Sequence, residues 1–397
     1  MLMLRNKIEK DEVEFLEHTT KYIDRIDINK NSQNYLDEYH GLAIISKTQQ
    51  ICRDIPIERY YSYSREDIYN IAMCIIEKLK HESRCLDNLN MTIITENKNV
   101  TIKTGEREII KSFQCGRVSI ETSYSNGKQR LTKLYIDGIM IIGKAKSPWW
   151  HQICTEEIIS ALKVDMRDFS IEQIHNGKYD LVFSAEAAGR LIHEAFGHIF
   201  EEDNRHYNKD LVTHLGSRKL HSNLCIEDNP YLKNTWGFSL YDDLGKKTRR
   251  LPIIIDGILS DDIRSGKRIS SIKKSHYYSV PQYRISNTVM KKGVNNMTEL
   301  IGSVKRGIYV DRVEQCFCDP VNGRIVLPVL ESKFICNGKM IHNLFPFYII
   351  SNIVQLVDNI EMISNDYLVK GCVCGKMGDN ILVGTCAAGL LIRNIDI

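Results

Sequence analysis

The sequence lacks a large net charge, an apolar run of membrane-spanning length, an internal repeat and a low-complexity linker. Its 53 basic and 50 acidic residues leave a net charge of +3, whereas nucleic-acid-binding proteins usually carry a strongly basic surface. The longest apolar stretches, such as Phe345 to Ile350, are too short to cross a bilayer. We therefore expect no membrane partner and no direct nucleic-acid partner.

A secretory signal is also missing from the first residues, because charged side chains from Arg5 onward interrupt any apolar region. We therefore expect a cytoplasmic protein whose 12 cysteines are reduced. Such cysteines serve as thiols, small core residues or metal ligands. Seven scattered ones are predicted to be buried core residues: Cys52, Cys74, Cys85, Cys115, Cys154, Cys225 and Cys386.

Composition and periodicity predict an α+β chain with two domains. A hydrophobic content of 43% is typical of globular proteins. A length of 397 residues is enough for more than one domain, each with its own core. Ser64, with Asp67 three residues on, is a candidate helix start, and helical spacing of apolar residues from Ile68 to Leu79 predicts a helix. Short β-branched runs between Met91 and Ile142 predict strands, with turns at Asn126-Gly127 and Asp137-Gly138. We assign residues 1–146 to an N-terminal α+β domain and expect Ser147-Pro148 to begin a helix that opens the next domain.

Residues 147–397 are predicted to form a β-rich domain with few helices. Tyr179 to Phe183 has the composition of a strand, and Ser184 can cap a helix running from Ala187 through Glu201. Strands dominate the rest, apart from a helix-like stretch at Ile349 to Val357. The chain ends in a segment rich in cysteine and glycine, Gly371 to Gly389.

The strongest chemical signal is the run His193-Glu194-Ala195-Phe196-Gly197-His198. Zinc-binding helices commonly place two histidines four residues apart on one face. Here the spacing is five, which on an ideal helix is a rotation of about 140°. Both imidazoles reach one metal only if the helix deforms or ends between them, and Gly197 tolerates such a change. A single helical histidine is more often structural, and the following Glu201 and Asp203 either orient the imidazoles or are solvated charges.

A catalytic zinc needs a third protein ligand and one open position. A carboxylate, a further histidine or a thiolate could supply that ligand. Cys372 and Cys374 are candidates because glycines flank them in a predicted turn and Lys376 would lower the pKa of a nearby thiol. A second cysteine group is less favoured, since alternating cysteines in a strand usually pack in the core: Cys316, Cys318 and Cys336.

Glu194 is the candidate general base. It follows His193 on the helix, so its side chain takes a different direction and would face the open position of the metal. Zinc would lower the pKa of its water and polarise a carbonyl group. Glu194 would take the proton of that water and pass it to the leaving amine. The motif therefore predicts a metal-dependent hydrolase.

An ordered set of segments resembles the TldD/PmbA metallopeptidase family, whose active members carry an HExxxH helix. The segments that carry the resemblance extend over about half of the chain: Ser184 to Asp203, Trp236-Gly237-Phe238 to Asp242-Asp243-Leu244-Gly245, Arg284 to Thr288, Gly307 to Val310, Asp319 to Gly323 and Val373 to Lys376. The resemblance implies that His193, His198 and Cys374 hold Zn²⁺, with Glu194 as the base. It thereby favours Cys374 over Cys372.

The resemblance also implies a zinc peptidase for short or unfolded peptides, including leader pieces of modified precursor peptides. Such peptides would be held as an added strand beside the metal. A TldE/PmbA-like partner subunit, giving a heterodimer, is expected more than a homodimer.

Two alternatives are open at this point. One is a non-catalytic structural or regulatory subunit, favoured by residues 311–318, which replace a glycine-rich stretch of the family. The other is nucleic-acid binding, because the family carries an old label as a DNA gyrase modulator; the near-neutral net charge argues against it.

Overall fold

A computed structural model describes residues 13–29, 39–47, 65–104, 107–142, 149–164, 169–233, 235–275 and 279–397. The chain divides into two compact units. The first comprises Met1–Phe169 together with Asp243–Lys246 and Ser275–Ser279, and the second comprises the remainder. Each unit combines sheet and helices, so the predicted α+β class is confirmed.

The first unit contains one antiparallel sheet with strand order β2-β1-β3-β4-β5 and two helices. Its elements are β1 (Val13–Asn29), β2 (Tyr39–Lys47), α1 (Arg65–Glu82), β3 (Leu86–Thr104), β4 (Arg107–Ser125), β5 (Arg130–Ile142) and α2 (Thr155–Leu162), with a 3₁₀ turn at Trp149–Gln152.

The core of the first unit lies between the helices and one face of the sheet. On α1, the predicted apolar positions Ala72, Ile75 and Leu79 are fully buried. On β3, alternate residues from Leu89 to Ile93 point into the same core, as the two-residue period of a strand requires. The helix predicted from spacing is therefore confirmed, and its apolar stripe is what attaches it to the sheet.

The predicted boundary at residue 147 is too early, because the chain continues to pack in the first unit as far as Phe169. Trp149 lies against Gly116, where an added Cβ would come within 1.8 Å of the indole. Its indole N–H donates a 2.8 Å hydrogen bond to the Thr95 hydroxyl. Ser147 and Pro148, which were expected to begin a helix, lie outside the described residues.

The predicted strands of the first unit are longer and fewer than expected. The turn at Asn126-Gly127 is confirmed, with Gly127 in the left-handed region at φ 86°. The turn predicted at Asp137-Gly138 is wrong, because both residues lie within β5 and pair with β4. Continuous pairing with a long neighbour overrides a local turn signal.

The second unit is built on a 13-stranded mixed sheet. Its strands are β6 (Ile171–Glu172), β7 (Lys178–Phe183), β8 (Ile226–Asp228), β9 (Leu251–Ile255), β10 (Ile258–Leu259), β11 (Ile272–Lys273), β12 (Gln282–Tyr283), β13 (Asn287–Met290), β14 (Arg306–Val313), β15 (Phe317–Cys318), β16 (Arg324–Cys336), β17 (Lys339–Leu344), β18 (Phe347–Asn352), β19 (Ile360–Lys376) and β20 (Asp379–Asp396). Its helices are α3 (Ala185–Phe196), α4 (Lys209–Gly216), α5 (Asp261–Arg264), α6 (Met297–Gly302) and α7 (Ile353–Asp358), with 3₁₀ turns at His198–Phe200 and Glu202–Asn204.

The strand order is β10-β9-β8-β13-β20-β7-β14-β16-β17-β6. Strands β15 and β18 also pair with β16, β19 pairs with β20, and β11 with β12 forms a separate two-stranded sheet. Helix α3 follows β7 directly and packs on β20, where a Cβ added at Gly189 would lie 3.1 Å from the Thr385 hydroxyl and 3.5 Å from the Ala387 side chain. The small glycine lets the helix approach the sheet closely, and this contact positions the histidine motif over the sheet.

Three local predictions for the second unit need correction. The helix predicted to reach Glu201 ends at Phe196. The helix-like stretch from Ile349 is a strand first and becomes helix only at Ile353. The turn predicted around Cys372 and Cys374 is part of β19, and the actual turn is at Met377-Gly378, where both φ angles are positive.

The cysteines predicted to be buried differ in their solvent exposure. Cys85, Cys115 and Cys386 are buried, Cys225 is half-buried, and Cys74 and Cys154 are exposed. Cys52 lies outside the described residues. Of the helices in the described part of the chain, none combines the length and apolar composition needed to cross a bilayer.

Candidate metal centre

Helix α3 is fixed at its start by the cap predicted from sequence. The Ser184 hydroxyl accepts a 3.1 Å hydrogen bond from the Ala187 N–H and donates to the Asp311 carbonyl at 2.6 Å. Its backbone N–H also bonds to the Val310 carbonyl at 2.9 Å. The end of β14 therefore holds the first turn of α3 and sets the direction in which the helix crosses the sheet.

The helix ends between the two histidines, as the five-residue spacing requires. After Phe196 the chain passes through Gly197 into the 3₁₀ turn that begins at His198. A Cβ at Gly197 would lie 2.3 Å from the His193 carbonyl oxygen, so a larger residue cannot occupy this bend without a shift. The change in winding brings the two imidazole centroids to 5.2 Å, nearly perpendicular at 81°.

A third donor atom reaches both imidazoles from β19. The Cys374 sulfur lies 3.3 Å from His193 Nε2 and 3.1 Å from His198 Nε2. Within the described part of the chain, these three residues form the group of histidine, cysteine and acidic side chains that could hold a metal. Cys374 is 6% exposed and His193 3%, so the group lies beneath the surface.

The opposite nitrogens of the two imidazoles have their own partners. His193 Nδ1 lies 3.0 Å from the Thr288 hydroxyl, and His198 Nδ1 lies 3.1 Å from a Glu201 carboxylate oxygen. A carboxylate accepts a hydrogen bond from Nδ1–H, which favours the tautomer in which the Nε2 lone pair of His198 is available to a metal. Both rings therefore present Nε2 to the sulfur.

Glu201 is fully buried and held on several sides. Lys376 donates to it at 2.8 Å and to Asp203 at 2.7 Å. The Ile285 backbone N–H donates to the other Glu201 oxygen at 3.1 Å. Lys376 was expected to act on a thiol, but it pairs with these two carboxylates and so fixes the group that orients His198.

The charges at the centre favour a thiolate. Burial alone would raise the pKa of the Cys374 thiol, but the adjacent His193 and His198 lower it to about 4. Burial would also raise the pKa of Glu201, whereas His198 and Lys376 lower it to about 2. Burial lowers the pKa of His198, but Glu201 and Cys374 raise it well above its usual value.

Glu194 lies beside this group without a polar partner of its own. It is half-buried, and no described residue forms a hydrogen bond or ion pair with its carboxylate. Burial raises its pKa, against the lowering effect of His198 and His193. A carboxylate with a raised pKa and free oxygens is suited to accept a proton.

The donor set fits zinc. Two imidazole nitrogens and one thiolate are ligands that zinc commonly takes in catalytic sites, with a fourth position left for water. Bonds of zinc length at tetrahedral angles would hold a nitrogen and a sulfur about 3.6 Å apart. The observed separations of 3.3 and 3.1 Å need only a small outward shift to reach that value.

The other cysteines considered as ligands are not part of the group. Cys372 precedes Cys374 by two residues on β19, and burial raises the pKa of its thiol to about 12. Burial likewise raises the pKa of Cys318 to about 12 and that of Cys316 further. These thiols are neutral, which suits wall residues rather than metal ligands.

Sequence reasoning did not single out Thr288 or Arg284. Both lie in the segment Arg284 to Thr288, whose resemblance was noted without a role for its members. Arg284 is fully buried and donates a 2.5 Å hydrogen bond to the Cys374 carbonyl. Only the fold reveals that this segment touches two of the three donor residues.

Comparison with known proteins identifies the family of the chain. Residues 176–397 match a family model described as the PmbA/TldA metallopeptidase C-terminal domain. The chain is 27% identical over 248 residues to a Metalloprotease TldD homolog of Buchnera aphidicola subsp. Acyrthosiphon pisum, covering 60% of this chain and 51% of that protein. It is 29% identical over 232 residues to the Metalloprotease TldD homolog of Haemophilus influenzae, covering 56% and 48%. The chain thus spans about half the length of the curated relatives it matches.

The fold is also similar to a solved structure. TldE from Thermococcus kodakarensis superposes with a TM-score of 0.66 over 96% of this chain and 96% of that one, at 13% sequence identity. At that identity the likeness concerns the fold alone. The matched family model, by contrast, covers more than half of the chain and includes His193, His198 and Cys374. The chain therefore belongs to the TldD/PmbA metallopeptidase family.

Proposed function

We propose that this chain is a zinc-dependent peptidase that hydrolyses short or unfolded peptides, including leader or modified precursor peptides. The observation that carries the proposal is the convergence of His193, His198 and Cys374 beside the carboxylate of Glu194, which has no hydrogen-bond or ion-pair partner among the described residues. When bound, zinc supplies a Lewis acid that polarises a carbonyl group and lowers the pKa of a water.

The protein residues have separate tasks in this proposal. His193, His198 and Cys374 hold the metal, and Thr288 and Glu201 fix the two imidazoles in the required orientation. Glu194 accepts the proton of the attacking water, which its raised pKa favours, and then delivers that proton to the leaving amine.

The sheet supports binding of the peptide as an added strand. In the described part of the chain, β15 pairs with β16 and with no other strand, so its second edge is available for main-chain hydrogen bonds. Strand β15 packs against helix α3, which carries the proposed base Glu194. Strand addition selects extended peptides and excludes folded proteins.

The Glu194→Gln variant tests the assignment of the base. We expect peptide cleavage to fall by about 100- to 10,000-fold while zinc content is retained, because the amide cannot take a proton. The measurements are peptide cleavage by mass spectrometry and metal content by elemental analysis. Glu77→Gln, at an exposed position of α1, is the matched control and should behave as wild type. Cleavage that persists at the wild-type rate in Glu194→Gln would contradict the mechanism.

We further propose that the chain works as a heterodimer with a TldE/PmbA-like subunit rather than as a homodimer. The resemblance of the sequence to the TldD/PmbA family implies such a partner subunit, and the proposal rests on that resemblance. Native mass spectrometry and peptide cleavage by the chain alone and with such a subunit test this proposal. An active homodimer formed by this chain alone would refute it.

A further inference from the structure

One face of helix α3 carries a row of charged residues that ends at the proposed base. Glu186, Arg190 and Glu194 follow one another at intervals of four residues, which places them on one helix face. Side chains at this interval lie about 6 Å apart. Arg190 is therefore one helical turn from Glu194, on the side of the helix where the reaction is proposed.

Strand β19, which carries Cys372 and the ligand Cys374, packs against helix α3. The spacing on α3 places the Arg190 side chain one helical turn, or about 6 Å, from that of the proposed base. Because the carboxylate of Glu194 lies beside the metal centre, Arg190 is near the site where the reaction is proposed.

The guanidinium of Arg190 has few protein partners. Its side chain is 20% exposed, and among the described residues its one ion pair is with Glu314 at 3.8 Å, too long for a hydrogen bond. Glu314 also pairs with Arg312 at 3.5 Å, and Arg312 further pairs with Glu186 and Glu331. Most of the local carboxylates are therefore gathered around Arg312, and most of the donors of Arg190 have no partner among the described residues.

Two further carboxylates, Glu186 and Glu194, lie one helical turn from Arg190 on either side, and neither forms an ion pair or hydrogen bond with it within the described part of the chain. A guanidinium in such a partly buried setting binds a carboxylate strongly, with two parallel hydrogen bonds. An arginine of this kind can bind a carboxylate of the peptide that is proposed to add beside β15.

We infer that Arg190 is a specificity residue that binds a carboxylate of the peptide, one or two residues from the scissile bond. The inference rests on the proposed peptidase function and names the substrate class of that site. The carboxylate is either the C-terminal group of the peptide or an Asp or Glu side chain, since both offer the same two oxygens to the guanidinium.

The binding test uses the zinc-loaded Glu194→Gln chain, which captures peptides without cleaving them. Two libraries of random hexapeptides, one with free C-terminal carboxylates and one with C-terminal amides, are incubated with it, and captured peptides are counted by mass spectrometry. We expect about 10- to 100-fold enrichment of carboxylate-bearing peptides, and loss of that enrichment when Arg190→Gln is added. The matched control Arg264→Gln, at an exposed residue of α5, should keep it.

The two libraries separate the sources of the carboxylate. Preference for free acids over amides identifies the C-terminal group, whereas enrichment of Asp and Glu over Asn and Gln in both libraries identifies a side chain. Capture without either preference, or preference that survives Arg190→Gln, overturns the inference. Zinc content equal to wild type in Arg190→Gln shows that the centre itself is intact.

Kinetics on the otherwise wild-type chain give a second readout. Arg190→Gln should raise KM about 10- to 100-fold on the preferred acidic peptides and leave KM on their neutral counterparts unchanged, with Arg190→Lys intermediate. Equal losses on both series would indicate a structural role and refute the inference. If carboxylate capture is seen but no peptide is cleaved, the peptidase proposal fails alone; if peptides are cleaved without regard to charge, the inference fails alone.

Discussion

Cys372 and Cys374 lie on the same strand, point to the same side and are both buried, yet their thiols differ in chemistry. Burial raises the pKa of Cys372 to about 12, whereas two imidazoles within 3.3 Å bring that of Cys374 to about 4 despite burial. The difference arises because Cys374 lies two residues further along β19, where its sulfur reaches both imidazoles. Local sequence around the pair cannot decide which thiol is the ligand, because their neighbours are so alike.

This contrast gives the first prediction. Cys374→Ala should lower zinc affinity by more than about 100-fold, because it removes a direct ligand rather than an outer partner. Zinc affinity is measured by competition with a chelator of known strength. Cys372→Ala is the matched control and should bind zinc as the wild type does. Equal affinity in Cys374→Ala and wild type would rule out the proposed ligand set.

Thr288 supports a prediction about the orientation of His193. Its hydroxyl lies 3.0 Å from Nδ1, so Thr288→Val removes that partner while keeping nearly the same volume. We expect zinc affinity to fall about 10- to 100-fold, as is common when the outer partner of a histidine ligand is lost. Thr288→Ser keeps a hydroxyl and should retain most of the affinity. A valine variant that binds zinc normally would show that packing alone orients the ring.

At the scale of elements, the end of α3 decides whether two histidines five residues apart can meet. Gly197 provides that end, and an added Cβ would lie 2.3 Å from the His193 carbonyl oxygen and 3.0 Å from Ile285. We expect Gly197→Ala to lower the free energy of unfolding by roughly 1 to 3 kcal/mol and to weaken zinc binding, because the bend must shift. Urea denaturation and zinc competition measure the two effects.

Gly302 is the control for this substitution. It ends α6, and an added Cβ there would meet no atom within 4 Å. Gly302→Ala should leave stability unchanged or raise it by up to about 1 kcal/mol, since alanine is the better helix former. If both variants keep zinc and stability alike, the bend at Gly197 does not need glycine.

Other elements show how far local signals reach. The cap at Ser184, the apolar stripe of α1 and the turn at Asn126-Gly127 were predictable, because each depends on residues close in sequence. The strand lengths, the missing turn in β5 and the extent of the first unit to Phe169 were not, because pairing and packing with distant residues determine them.

At the scale of the whole molecule, the proposed zinc ties His193 of α3 to Cys374 of β19, which lie 181 positions apart in the chain. A ligand that binds only the folded state stabilises it, by about 4 kcal/mol at a thousand times its dissociation constant. For a unit of this size we expect removal of zinc with EDTA to lower the melting temperature by roughly 8 to 16 °C. Differential scanning calorimetry measures the shift.

The Cys374→Ala variant provides the control for metal removal. Since it lacks a ligand, EDTA should change its melting temperature little. A wild-type melting temperature that is insensitive to EDTA and to added zinc would show that no metal links the two elements.

The sequence by itself determined the α+β class, the family and the presence of a split histidine motif, since each is encoded in local patterns and in the order of recognisable segments. It also indicated that the helix must change between His193 and His198, because helix geometry allows no other convergence. Tertiary structure alone decided which atoms meet. The positions of the Cys374 thiol, the Thr288 hydroxyl and the Lys376 ion pairs depend on contacts that bring β13 and β19 to α3 and the turns after it. Contacts between elements so far apart in the chain leave no periodic trace in the sequence.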